Sequence, residues 1–109
     1  MAEKIVTLKE AMESGKDSVV QGSIGNIGSY MSGYSWEISD QTKSGVYSFL
    51  MKDSTKDRKE YELAGSVLEQ AVKEHAKVTV KGLFEAEEEF FAVEKLEVIL
   101  DGDKYVLEA

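Results

Sequence analysis

The fold is decided by residues 34–51, which read YSWEISDQTKSGVYSFLM. In the first part, Tyr34, Trp36 and Ile38 alternate with polar residues, which predicts a half-buried strand. The polar run that follows predicts a turn, and residues 46–51 predict a second strand with apolar residues on both faces. The stretch therefore predicts a β-hairpin.

The segments on either side of this hairpin complete an order of three strands, one helix and two strands. Upstream, residues 19–28 are β-prone but contain three glycines, which predicts a long, bent first strand, followed by a turn at 28–33. Downstream, residues 58–75 place apolar side chains three and four apart, which predicts an amphipathic helix. Alternation over residues 76–84 and 90–99 predicts the last two strands.

Two short segments lie outside this order. Residues 3–15 have apolar side chains at helical spacing before a glycine, which predicts a short N-terminal helix. After the last strand, residues 101–103 predict a turn, and residues 104–107 predict a short edge strand.

Five motifs in this order resemble those of one family. They are VVQGSI at 19–24, WEISD at 36–40, GVYSFL at 45–50, VTVKG at 78–82 and LEVI at 96–99. They make the chain similar to the anticodon-binding-type OB-fold family, which recurs in lysyl- and aspartyl-type tRNA synthetases and in replication protein A. The resemblance implies an all-β fold, a five-stranded Greek-key OB-fold barrel with one α-helix between strands 3 and 4 and a short N-terminal helical segment. One domain would span residues 1–109, with the barrel core at about 18–99.

The resemblance also implies a function. The chain would be a non-catalytic binding module for single-stranded nucleic acid, DNA or RNA, which lies across strands 2 and 3. The expected stacking residues are Tyr30, Tyr34, Tyr47 and Phe49, and the expected phosphate contacts are Lys43, Lys52 and Lys81.

Two loops depart from the family pattern. Nucleic-acid-binding members usually carry Lys or Arg in the strand 1–2 loop and in the strand 4–5 hairpin. Here residues 28–33 have no charge, and the tip at 85–89 carries four carboxylates. The alternative function is an OB-fold protein-interaction or scaffold domain that uses the same groove, or the acidic tip, without nucleic acid. We interpret the tip first as a solvated hairpin whose charge discourages edge pairing. Two further interpretations are that it contacts a basic protein partner or that it weakly binds a divalent cation.

The third predicted strand has two possible facings. Either Tyr47, Phe49 and Met51 point outward while the residues between them point inward, or the reverse; the resemblance favours the first. The predicted core consists of Val20, Ile24, Trp36, Ile38, Val46, Leu50, Leu68, Val72, Val78, Val80, Val93, Leu96 and Val98.

No catalytic or cofactor motif stands out. The single histidine, His75, has no partner for a triad or a metal site, and its place at the apolar side of the helix end favours a role near the helix dipole. The glycines at 22, 25 and 28 lack the strand-to-helix setting of a phosphate loop. We therefore expect no enzyme activity, no cofactor and no metal.

Composition sets the remaining limits. A chain of 109 residues without cysteine forms one ordinary domain without disulfides, thiolate zinc sites or iron–sulfur clusters. The first residues lack a secretory signal and no apolar run is long enough to span a membrane, so a cytoplasmic location is expected. The net charge of −8 divides unevenly, with −1 on residues 1–56 and −7 on residues 57–109. Any affinity for nucleic acid should therefore be modest and depend weakly on salt.

Overall fold

The computed structural model describes residues 4–30, 33–51 and 58–108, and for residues 29–30 and 58–64 it describes the backbone alone. These residues form seven strands and two helices. In chain order the elements are β1 (Ile5–Val6), α1 (Leu8–Ser14), β2 (Ser18–Tyr30), β3 (Gly33–Ser39), β4 (Val46–Met51), α2 (Arg58–Lys73), β5 (Val78–Glu85), β6 (Phe90–Leu100) and β7 (Asp103–Glu108).

Five of the strands close into a barrel. β2, β3 and β4 form an antiparallel meander, and β4 pairs in parallel with β6. β6 pairs antiparallel with β5, and β5 returns to β2. α2 connects β4 to β5, while β1 and β7 extend the sheet beside β2 and β6. This connectivity is that of a five-stranded Greek-key OB-fold barrel, so the predicted fold class is confirmed.

The first two barrel strands are longer than predicted where they approach their connection. β2 continues to Tyr30 and β3 starts at Gly33, so the prediction of a turn at 28–33 is wrong for most of its length. Gly33 pairs with Tyr30 on one side and with Met51 on the other. A Cβ at Gly33 would collide with the carbonyl oxygen of Leu50, so this glycine permits a close strand contact rather than a turn.

The bend predicted for the first barrel strand is present in β2. Its pairing with β3 changes register between Gly25 and Gly28, where Asn26 has a φ of 49°. At Gly22 a Cβ would overlap the carbonyl oxygen of Ser39, so the two backbones approach to a distance that only glycine allows. β2 pairs with β5 over residues 18–22 and with β3 over residues 23–30, so this one long strand has both partners and closes the barrel.

The barrel interior contains the predicted core with one exception. Twelve of the thirteen predicted residues are buried, and Val72 is partly buried against them. On β4, Val46, Ser48 and Leu50 point inward, which confirms the outward facing of the residues between them. The core also contains residues that were not predicted, namely Leu8, Ala11, Tyr34, Val67, Ala71, Phe84, Phe91, Leu100 and Leu107.

The turn after β3 holds the N-terminus of α1. Thr7 and Glu10 form a capping box at the start of the helix. A carboxylate oxygen of Asp40 accepts the backbone N–H of Leu8 at 2.8 Å, and the hydroxyl of Thr42 accepts the next N–H at 3.2 Å. These bonds satisfy helix donors that have no partner within the helix, so α1 is attached to the barrel through this turn.

α2 ends in a left-handed turn at His75. The N–H of His75 donates to the Val72 carbonyl at 3.2 Å, and the N–H of Ala76 donates to the Ala71 carbonyl at 2.9 Å, which is a Schellman motif. His75 has a φ of 51° and an exposed side chain. The prediction that His75 lies on the apolar side of the helix is wrong, because this residue occupies the cap position beyond the last helical turn.

Candidate functional site

The outward side of β4 carries three large apolar side chains. Tyr47 is 44% exposed, Met51 is 65% exposed, and Phe49 between them is half-buried. Because side chains alternate along a strand, these three residues share the face opposite the core. The predicted residues Tyr47 and Phe49 are therefore together on the barrel exterior.

Phe49 lies in a row of outward residues that crosses the barrel strands. It pairs with Ser35 of β3 on one side and with Ala92 of β6 on the other, and Ala92 in turn pairs with Leu83 of β5. The row is apolar from Phe49 to Leu83, and its members on β4, β6 and β5 are all partly accessible. We define the aromatic face as Tyr47, Phe49, Met51, Leu83 and Ala92.

Carboxylates lie beside the aromatic face. Glu37 pairs with Tyr47 across the strands, and its side chain accepts a hydrogen bond from Asn26 Nδ2 at 2.6 Å. The hairpin tip at 85–89, which follows Leu83 on β5, is exposed and carries four carboxylates. Lys43, one of the predicted cations, is exposed in the turn between β3 and β4. The described surroundings of the aromatic face are therefore more negative than positive.

Tyr34 does not belong to the aromatic face. Its side chain is 3% exposed, on the inward side of β3 with Trp36. A Cβ built at Gly65 of α2 would lie 3.2 Å from the Tyr34 hydroxyl oxygen, so this ring is packed closely beneath the helix. The prediction that Tyr34 stacks on a base is wrong, because strand alternation places it in the core and α2 packs over it.

Two predicted contacts fall outside what the structure describes. Tyr30 is the last residue of β2, where its backbone pairs with Gly33, and its side chain is not among the described atoms. Lys52 lies in the stretch between residues 51 and 58, outside the described residues. Their assignment to the site stays a prediction.

Lys81 lies on the outward side of β5 in a groove next to the aromatic face. Its cross-strand partner is Lys95 of β6, and Lys104 of β7 supplies a third ammonium group. The groove has a volume of about 580 Å³. Ile5 and Val19 supply the apolar part of its lining. We define the lysine groove by the polar lining residues, which are Gln21, Thr79, Lys81, Lys95, Glu97 and Lys104.

Lys95 and Lys104 were not among the predicted site residues. The alternation of β6 was a signal for Lys95, because Leu96 and Val98 point inward and Lys95 and Glu97 therefore point outward. For Lys104 the sequence predicted a turn and a short edge strand but not their register. The pairing sets Lys104 opposite Ile99, within reach of Glu97.

Glu97 lies between two of these lysines. Its Oε1 is 3.1 Å from Lys95 Nζ, and its Oε2 is 3.5 Å from Lys104 Nζ. The hydrogen bond from Lys95 lowers the pKa of Glu97 below its ordinary value; partial burial acts in the opposite direction, and the charge of Lys104 lowers it further. Glu97 is therefore ionised at neutral pH and attracts both ammonium groups to the groove.

No group of three or more His, Cys, Asp or Glu side chains among the described residues is placed to hold a metal ion. Neither helix, as far as it is described, is long and apolar enough to cross a membrane.

Comparison with known protein families finds no matching family model, and no curated protein sequence matches the chain. The structure shows the barrel fold, and the resemblance to OB-fold nucleic-acid binders stays a prediction from the sequence motifs.

Proposed function

We propose that this protein is a non-catalytic binding module for single-stranded nucleic acid, akin to the anticodon-binding and replication protein A types of OB-fold domain. β3 and β4 are the second and third strands of the barrel, and this is the side on which OB-folds bind oligonucleotides. The observation that carries the proposal is the pair Tyr47 and Phe49 on the outward side of β4. In this arrangement bases stack on the aromatic face, and Lys43 contacts phosphate.

The spacing of the two rings suits consecutive bases. Tyr47 and Phe49 are two residues apart on one face of a strand, which corresponds to about 6.6–6.8 Å along the strand. Every base has a π face, so such a pair accepts bases of any sequence, and each stacked base contributes about 1–3 kcal/mol. Met51 extends the apolar surface along the same strand.

The charges near the aromatic face predict a weak electrostatic contribution. Glu37 and the tip at 85–89 repel phosphates, and Lys43 is a single exposed cation in the adjoining turn. Since the salt dependence of binding grows with the number of neutralised phosphates, binding at this face alone should have a shallow salt dependence.

One observation favours a second candidate, a protein-interaction domain. The apolar row from Phe49 to Leu83 leads to the acidic tip at 85–89, and this combination also suits a peptide with apolar and basic side chains. We rank this candidate second because contact with two adjacent ring faces contributes less binding energy to a peptide than to unpaired bases.

The test is a titration of a fluorescently labelled oligothymidylate of about 4 nucleotides, the lower end of OB-fold site sizes. The binding constant is compared between the natural protein and the double variant Tyr47→Ala and Phe49→Ala. A matched control removes two exposed apolar side chains elsewhere, through Ile99→Ala and Val106→Ala. Low salt and moderate salt are both used.

We expect binding at low salt that the aromatic double variant loses and the control retains. Absence of binding at low salt would contradict the proposed function. Equal loss in the control variant would contradict the assignment of the site. A lysine-rich apolar peptide is titrated in parallel. Peptide binding that the aromatic double variant loses and the control retains is the result expected for the second candidate.

A further inference from the structure

The aromatic face and the lysine groove are continuous on the barrel exterior. Leu83 and Lys81 lie two residues apart on the outward side of β5, which corresponds to about 6.6–6.8 Å along the strand. On β6, a register shift in the pairing with β5 leaves the exposed Glu94 unpaired with that strand, and Lys95 follows it, three residues after Ala92 of the aromatic face. A bound chain can therefore pass from one surface to the other across two strands.

The lysine groove has the opposite electrostatic character to the rest of the molecule. The residues that line the groove include three lysines, Lys81, Lys95 and Lys104, and one carboxylate, Glu97, whereas the whole chain has a net charge of −8. Glu108 pairs with Lys95 from β7 but is not among the residues that line the groove. The excess of positive charge is thus local, and it complements a ligand with several negative groups.

The groove also offers uncharged hydrogen-bonding groups. The Gln21 amide nitrogen donates to the Thr79 hydroxyl at 3.2 Å across the β2–β5 pair, at the centre of the lining. Amide and hydroxyl groups commonly accompany lysines in contacts to phosphate oxygens. The lining is therefore chemically suited to a phosphodiester chain, whose phosphates recur along its length.

We infer that the lysine groove binds the phosphate backbone of the same nucleic-acid strand whose bases stack on the aromatic face. This inference rests on the proposed function and extends it, because it assigns a second segment of the ligand to β5, β6 and β7. The aromatic face holds bases with few phosphate contacts, and the lysine groove holds phosphates without rings. The lysine groove thus determines how strongly binding depends on oligonucleotide length and on salt.

Glu97 limits the strength of this second contact. It already pairs with Lys95 and Lys104, so a phosphate must compete with it for both ammonium groups. Replacement by the neutral isostere, Glu97→Gln, should therefore raise the affinity for long oligonucleotides several-fold and leave the affinity for short ones unchanged. A merely structural role for the Glu97 ion pairs predicts the reverse, a loss of stability with no gain in binding.

The test compares oligothymidylates of about 4 and about 12 nucleotides, both within the range of OB-fold site sizes. The variant carries Lys81→Gln and Lys104→Gln; the matched control carries Lys9→Gln and Lys16→Gln, two exposed lysines outside the groove with the same loss of charge. We expect the groove variant to bind the long oligonucleotide about tenfold more weakly at low salt. The slope of log K against log salt should fall by about 1.4, because each phosphate contact contributes about 0.7 on a single strand.

The outcomes separate this inference from the proposed function. If the short oligonucleotide binds and the long one binds no more tightly, or if the groove and control variants behave alike, the inference is overturned and the proposed function stands. If the long oligonucleotide depends on the groove lysines but not on Tyr47 and Phe49, the groove is supported and the aromatic site is wrong. If neither oligonucleotide binds at low salt, both proposals fail.

Discussion

The aromatic face and the lysine groove are built on the same barrel surface, yet they are chemical opposites. The aromatic face presents Tyr47 and Phe49 with carboxylates beside it, whereas the lysine groove presents three ammonium groups and no ring. Both arise from strand alternation, which places every second residue outward whatever its chemistry. The difference shows that aromatic and cationic side chains, which OB-folds that bind single strands combine in one groove, occupy separate parts of this barrel exterior.

Under the proposed function, this separation allows an acidic chain to bind a polyanion. The overall charge of −8 averages over regions of opposite sign, such as the acidic tip of the β5–β6 hairpin and the lysine groove, to which β5, β6 and β7 each contribute a lysine. Because ionic interactions at the surface are screened within about 8–10 Å at physiological salt, local charge governs contact more than net charge does. The predicted weak salt dependence therefore applies to the aromatic face alone.

The largest effect should come from removing the rings. Tyr47→Ala combined with Phe49→Ala should weaken binding of the short oligonucleotide at least about thirtyfold, which corresponds to about 2 kcal/mol for two stacked bases at the lower limit. Binding of the long oligonucleotide should persist in part and become more sensitive to salt. Fluorescence anisotropy at several salt concentrations measures both quantities; a uniform loss at both lengths would mean that the two surfaces do not act separately.

The next-largest effect is a loss of stability, expected from replacing Asp40 in the turn that carries Lys43. Burial alone would raise the pKa of Asp40, but hydrogen bonds from Thr42, Leu8 and Lys43 outweigh it and hold the pKa below its ordinary value. Asp40→Ala should therefore lower the free energy of unfolding by about 1.5–2 kcal/mol, because it leaves helix and turn donors without a partner.

The pH dependence of this contribution has a definite sign. A carboxylate with a depressed folded-state pKa stabilises the fold above its unfolded pKa, near 3.9, and this stabilisation is lost as the pH falls through the lower folded-state value. As the pH falls, the free energy of unfolding should thus decrease more in the natural protein than in the variant Asp40→Asn. Trp36, the single tryptophan and fully buried, reports unfolding by fluorescence. Equal acid sensitivity of both proteins would contradict the assignment.

A smaller effect is expected from the acidic tip. Glu87→Gln with Glu88→Gln removes two exposed charges near the aromatic face and should raise the affinity for the short oligonucleotide about threefold at low salt. The same change should weaken the binding of a lysine-rich peptide. If the peptide loses affinity and the oligonucleotide gains none, the protein-interaction candidate becomes the better account of the aromatic face.

The smallest effect is expected from a substitution at His75, which should change the stability of the fold and leave binding unchanged. His75 has a left-handed backbone at the end of α2, where glycine is free of the Cβ strain. His75→Gly should raise the free energy of unfolding by about 0.5–1 kcal/mol in a denaturant titration, because relief of about 1–2 kcal/mol of backbone strain is partly offset by the entropy that glycine loses on folding, about 0.5–1 kcal/mol. Binding at both surfaces should be unchanged. A change in oligonucleotide affinity would show that the fold's stability contributes to the apparent binding constants of the other variants.

Much of the fold was predictable because each element leaves a local signal. Alternation located the barrel strands, and helical spacing located α2. The glycines of β2 marked its bend, although Gly33 was assigned to a turn. That error has a physical cause, since glycine serves tight turns and close strand contacts alike, and only the neighbouring Leu50 carbonyl distinguishes them.

The candidate site was only partly predictable, because alternation groups side chains by face but does not identify the face that other elements cover. Alternation in β4 placed Tyr47 and Phe49 on one face, and only the resemblance to the family favoured the outward facing. Tyr34 alternates with the predicted core residues Trp36 and Ile38, so its burial agrees with the local pattern and not with the site that the resemblance implied. Lys104 lies opposite Ile99 in the β6–β7 pairing, and the predicted edge strand gave no register for its contact with Glu97.

The central claim is that single-stranded nucleic acid binds the aromatic face. The most direct measurement is a map of backbone amide chemical shifts, recorded while unlabelled oligothymidylate of about 4 nucleotides is added. The largest changes should fall at residues 47–51, 83 and 92, with the ends of α1 and α2 unaffected. An unchanged spectrum at low salt, or changes confined to the acidic tip or the helices, would contradict the claim.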